Sequence, residues 1–209
     1  MLYGGRVSIL IGILAAAIGT SAGSLIGAMA GFYGGRTDNV LMRVTDTAYA
    51  IPTLPLLIVL GSYSQSAIAS MALIIGLLSW MATARVVRGE GLGIREMPYV
   101  EAARSIGAGN LRIIGRHILP NAIGPIVVGA TLAVGNAIIL ESSLSFLGLG
   151  VQPPTPTWGN MLQDAQSTMA TKPWLTIYPG LAILLVVLAV NFIGDALQDA
   201  LDPRAEPGG

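Results

Sequence analysis

The chain has 209 residues, of which 53% are hydrophobic and only 11% charged, and its mean hydropathy is +0.71. Soluble domains carry about 25% charged residues, so this sequence cannot cover a globule with polar surface and reads as a polytopic, all-α membrane protein. Zero formal charge removes any bulk pull toward nucleic acid, the lack of cysteine excludes disulfides and thiolate metal sites, and a lone histidine, His117, argues against a histidine-based metal site or triad.

A spanning helix needs about 20 mostly apolar residues. Five stretches qualify or come close: 7–32, 40–62, 67–87, 119–140 and 175–193. The first follows Arg6 but runs past Ala30, too long for the core of a signal peptide. Its Gly19, Ser21, Gly23, Ser24, Gly27, Ala28 and Gly31 predict a face for close helix packing. The second carries Pro52 and Pro55, which predict a kink and a candidate hinge. Between the third and fourth lies a polar segment, 88–118. Beyond the fourth lies a loop, 148–173, in which Pro153, Pro154 and Pro156 keep the start extended and 160–169 suits a short surface helix. Trp158 and Trp174 suit a membrane–water boundary. The Pro/Gly-rich tail predicts disorder.

Arg85, Arg88, Arg95, Arg104, Arg112 and Arg116 cluster around the 88–118 segment. Arg36, Arg43 and Arg204 fall on the same side of a five-span chain, and only Arg6 and Lys172 fall on the other. The positive-inside rule places the segment and the C-terminus in the cytoplasm and the N-terminal end outside. No GxxxxGK[ST] loop occurs, so ATP hydrolysis by that route is not expected of this chain.

Within the segment, Pro98 suits a first helical turn. Tyr99, Ala102, Ala103 and Ile106 form an i, i+3, i+4, i+7 stripe. Glu101 and Arg104 are spaced to pair. Gly107 suits a left-handed helix end, and Asn110 suits a cap on a second helix with Leu111, Ile114 and Ile118 on its apolar face. On these grounds two readings stand: an amphipathic connector on the membrane, or a docking element.

Glu101-Ala102-Ala103, Gly107 and Leu119-Pro120 together resemble the EAA motif of permease subunits in binding-protein-dependent ABC importers. The stretches YGGRVSIL, AGFYGGRTDNVLMRVTD, ARVVRGE, SFLGLGVQPPTPTWG and GDALQDALDPR extend the resemblance over nearly the whole chain. They resemble the peptide/nickel branch, the dipeptide and oligopeptide permease C-type subunits. His117 stands where the general motif has Ile and suits that branch. The resemblance implies a type I permease bundle over 1–209. The family has six spans against five here, so an initial span ahead of Met1 is expected, missing through a fragment or a late start codon.

The resemblance also implies function. The chain would be a non-enzymatic permease subunit in a prokaryotic inner membrane, forming half of a pathway for di- and oligopeptides. Glu101, Ala102, Ala103, Arg104 and Gly107 would couple it to two cytoplasmic ATPase subunits, which would hold ATP and Mg. A homologous second permease would complete the pathway, and an extracytoplasmic binding protein would meet the outer loop near Gln152 to Trp158. A nickel chelate is the alternative solute. A membrane-embedded enzyme, the rival class, lacks HExxH and nucleophile-elbow motifs.

Among single residues, Glu141 has two readings: a pathway contact for a substrate amine, or a helix-end acid paired or hydrated at the boundary. Asp46 and Asp195 are expected to pair with Arg43 and Arg204 or to stay hydrated. His117 is expected at a membrane boundary rather than as a proton carrier or nickel ligand.

Overall fold

A computed structural model of the chain describes residues 1–63 and 67–201. The expected disordered tail and Arg204 lie outside those residues. The helices are α1 (Leu2–Tyr33), α2 (Gly35–Ala50), α3 (Thr53–Tyr63), α4 (Ile68–Leu77), α5 (Trp80–Ile94), α6 (Pro98–Ser105), α7 (Asn110–Ile113), α8 (Leu119–Asn121), α9 (Ile123–Phe146), α10 (Trp158–Ala165) and α11 (Trp174–Leu201). A π-helical turn, Ile114–Ile118, joins α7 to α8. Three helices, α1, α9 and α11, are each long and apolar enough to cross a membrane. Two bent pairs raise the number to five if each is one span: α2 with α3, bent by 82°, and α4 with α5, bent by 45°.

Helix α1 is the axis of the bundle, packed against α4, α5 and α9. Its glycines explain how. Gly19, Gly23, Gly27 and Gly31 recur every four residues and so share one face. A methyl on Gly19 would stand 3.0 Å from the Gly76 carbonyl oxygen, and one on Gly31 would stand 2.8 Å from that of Arg88. At Gly23 and Gly27 it would run into the carbonyl oxygens of Trp80 and Ala84. Backbone lies on backbone along the whole seam, the arrangement small residues allow between helices in lipid. Ser21 is exposed and takes no part.

At the α2–α3 break, Ile51 is extended (φ −78°, ψ 126°) and Pro52 stands outside both helices. The extended Ile51 follows from the proline after it. Pro55 sits in the first turn of α3, where its missing N–H breaks no intrahelical bond. Helix α2 is tied to α5 by two ion pairs. Arg88 meets the buried Asp38 through two hydrogen bonds, Nε to Oδ1 at 2.5 Å and Nη2 to Oδ2 at 2.6 Å. Arg85 meets Asp46 at 2.7 Å and lies over the Tyr49 ring. Asp46 therefore pairs across helices and not with Arg43, because eight residues along α2 bring Asp38 and Asp46 onto the side facing α5. Asp195 is exposed.

Candidate functional site: segment 98–118 and the polar cluster at Glu141

Two regions gather the residues that the sequence singles out. The first is the segment between α5 and α9. Helix α6 begins at Pro98 and ends before Gly107, whose φ of +84° is the left-handed turn expected there. Its buried side differs from the expected stripe. Val100 and Ala103 turn inward, whereas Tyr99, Glu101, Ala102 and Ile106 face out. Ile106 is 87% exposed and Leu111, just beyond the turn, is 79% exposed. The inward residues Val100, Ala103, Ile113, Ile114 and Ile118 join one cluster with Ala28 and Phe32 of α1, Val87 and Ile94 of α5, and Ala122.

The reason lies in the sequence itself. Apolar residues occupy more than one side of α6, and the side carrying Val100 packs with Ala28 and Phe32 near the end of α1. Arg104 does not pair with Glu101; its guanidinium lies over the Phe32 ring, 5.1 Å from the centroid. An exposed i, i+3 pair is worth only about 0.2–0.5 kcal/mol, and a cation over an aromatic face is at least as favourable. Asn110 is the first residue of α7 rather than its cap, which is Gly109. His117 lies in the π turn, its ring 5.8 Å from that of Tyr99, at the root of the segment.

The second region surrounds Glu141, near the far end of α9. Glu141 is fully buried. Its carboxyl accepts from Ser145 Oγ at 2.7 Å and from Ser142 Oγ at 3.4 Å. Ser8 of α1 and Thr157 turn their hydroxyls to the same group. Both are placed to donate, because each already accepts elsewhere. Ser8 Oγ takes the Trp158 backbone N–H at 3.2 Å, and Thr157 Oγ1 takes the Asn160 N–H at 3.1 Å, capping α10. One carboxyl thus fastens α1, α9 and the start of α10. Within the chain, hydroxyl groups rather than a charged partner surround the Glu141 carboxyl.

Trp158, expected at a boundary or outer contact, is buried against α1 instead. It is 6% exposed, its indole lying on Gly5, where a methyl would come within 2.5 Å of the ring. The exposed surface at this point is formed instead by Gln152 and the prolines beside it. The Gln152 amide donates to the Gly148 and Gly150 carbonyls at 3.1 and 3.3 Å, bracing the loop. Asn160 adds a bond to the Val151 carbonyl at 2.6 Å. The i, i+4 spacing of Glu141 and Ser145 was open to sequence reasoning; the part played by Ser8, 150 residues before Trp158, was not.

Comparison with known proteins gives these features a setting. A Brucella ovis protein provisionally named a peptide permease is 48% identical over 205 residues, covering 97% of this chain and 68% of that protein. The glutathione transport system permease protein GsiD of Pectobacterium atrosepticum is 43% identical, over 98% of this chain and 68% of its own length. Among solved structures, an inward-facing form of the MetNI methionine ABC transporter superposes with a TM-score of 0.74, covering 95% of this chain and 94% of that one. At 15% identity that likeness concerns the fold alone. The family model described as binding-protein-dependent transport system inner membrane component matches residues 23–207. This chain belongs to that family, the membrane-spanning permeases of ABC importers.

Proposed function

We propose that the chain is a single permease domain, 1–209, carrying small peptides across a prokaryotic inner membrane as one of two homologous permease subunits. The relatives' names, peptide permease and glutathione permease, support a peptide-like solute over a nickel chelate. Two cytoplasmic ATPase subunits, holding ATP and Mg, drive it, and an extracytoplasmic binding protein delivers the solute near Gln152. The arginine-rich end carrying α6 faces the cytoplasm, as does the C-terminus.

One observation carries the reading. Segment 98–118 is two-sided: Val100, Ala103, Ile113 and Ile118 root it in the bundle, while Ile106 and Leu111 stand free on either side of Gly107. Water-exposed apolar side chains of that size on an anchored helix suit a partner's groove. Glu101, Ala102 and Arg104 lie on the same exposed element. The bent α2–α3 pair, with Pro52 in the break and Pro55 beside it, suits a hinge in the alternation between inward- and outward-facing states.

The test is co-purification with the ATPase pair and ATP-dependent uptake of a labelled dipeptide. Ile106→Asp and Glu101→Lys, both at exposed positions, are expected to abolish both while membrane insertion persists. Retained ATPase binding and uptake in both variants would overturn the docking role. Calorimetry of the binding protein with a dipeptide, glutathione and a nickel chelate decides the solute class.

A further inference from the structure

Helix α9 has three sides. Ala137, Ile138, Glu141 and Leu144 face the core, and Gly135 and Thr131 lie against Asn191 and Gly194 of α11. The third side is largely uncovered within the chain, with Leu132 reaching toward Gly194 of α11. Leu132, Asn136, Ile139 and Ser143, at i, i+4, i+7 and i+11, share it, and the first three are exposed. Asn136 is the unexpected member. It lies 13 residues into a 24-residue span, about 20 Å along the helix at 1.5 Å per residue, near the middle of a hydrocarbon layer about 30 Å thick. Among the described residues nothing hydrogen-bonds its amide. A primary amide facing lipid at that depth is unfavourable.

The same side leads down to a cavity of about 720 Å3 between α5, α9 and α11. Leu132 belongs to its wall, and Glu90, Asn121 and Gln198 supply polar groups at its inner end. An unpartnered amide at mid-depth and a polar-mouthed cavity beneath it lie on one helix face. Neither observation depends on the other.

We infer that this face of α9 is wetted, and that Asn136 is a mid-membrane hydrogen-bonding contact for a peptide in transit. The inference rests on the permease reading above and names the part of the chain that meets the solute. An asparagine amide both donates and accepts, so it can match the N–H and C=O of a peptide bond. It does so without a charge that would hold the solute in place, and release matters as much as binding in a pathway.

The chain contains no cysteine, so single thiols can be introduced without background from this subunit. In the assembled complex in membranes, Asn136→Cys and Leu132→Cys are expected to react with a charged, membrane-impermeant thiosulfonate at least about tenfold faster than Ile138→Cys or Leu185→Cys. A dipeptide delivered by the binding protein slows the reaction at position 136. Reaction of the 136 thiol only with an apolar maleimide would mean a lipid-facing side and would overturn the inference. Reaction only after the two permeases are separated would mean a subunit seam and would also overturn it. Asn136→Leu is expected to lower dipeptide uptake about tenfold, the value of one hydrogen bond of about 1.4 kcal/mol, with Asn136→Gln restoring most of it. Uptake that continues while the 136 thiol stays closed to the charged reagent defeats this inference alone. Open labelling with no peptide uptake or protection defeats the peptide reading and leaves the wet face standing.

Discussion

Replacing Gly27 by alanine tests the seam on which the bundle is built. The added methyl would run into the Ala84 carbonyl oxygen and stand 2.9 Å from Val87 Cβ. Ordinary contacts between carbon atoms lie at about 3.5–4.0 Å, so α1 and α5 must part by roughly 1 Å at this point. Overpacking of this kind costs about 1–3 kcal/mol. Part of that comes from Gly23 and Gly31, whose contacts loosen as the helices separate. For a chain of this length, 1 kcal/mol corresponds to about 2–4 °C in Tm, so the expected fall is about 2–12 °C. Gly89→Ala is the matched control. It lies in the same helix pair, but a methyl there meets nothing within 4 Å. Alanine is the better helix former by about 1 kcal/mol, so Tm should hold or rise by up to about 4 °C. Thermal unfolding of both variants in one detergent, followed by circular dichroism, makes the comparison. A Gly27→Ala protein as stable as Gly89→Ala would refute the seam.

Three further predictions concern the polar ties and the turn at Gly107. Arg88→Met strips the buried Asp38 of both its hydrogen bonds and should cost about 1–3 kcal/mol, whereas Arg85→Met, at an exposed pair, should cost less than about 1 kcal/mol; equal effects on Tm would contradict the difference in burial. Glu141→Ala removes the acceptor that Ser142 and Ser145 share and should lower stability by about 2–4 kcal/mol, with Ser145→Ala near 1 kcal/mol; limited proteolysis should show loop 148–157 cut faster in the first variant. Gly107→Ala places a side chain at φ +84° and should cost about 1–2 kcal/mol through backbone strain, since nothing crowds the position; an unchanged uptake rate and Tm would argue that the turn needs no glycine.

Much of the architecture was open to reading because lipid imposes a crude rule on composition. Long apolar runs such as 7–32 and 175–193 have few alternatives to spanning helices. The turn at Gly107 was legible for a local reason, since few residues other than glycine favour that conformation. What escaped was rotation and distance. Pairing of Asp46 with Arg85 joins residues 39 apart, and the Ser8–Trp158 bond joins residues 150 apart. No periodicity encodes such meetings. The inward turn of Val100 depended on the shape of α1's end, which no stretch of α6 contains. The hydroxyl partners of Glu141 were out of reach for the same reason, since they come from three separate stretches.

The rooting of α6 has a mechanical consequence. Val100 and Ala103 share one packed cluster with Ala28 and Phe32, Val87 and Ile94, and Ala122 at the foot of α9. Close-packed interiors transmit displacement rather than absorb it. On the proposed docking role, a push delivered at Ile106 would enter α1, α5 and α9 together, as load enters a frame through a welded joint. Helix α11 packs chiefly on α9 and α10 and has no member in that cluster. On the same proposal it would be carried along as a passenger, and substitutions on its exposed face, at Leu185 or Phe192, should leave uptake intact.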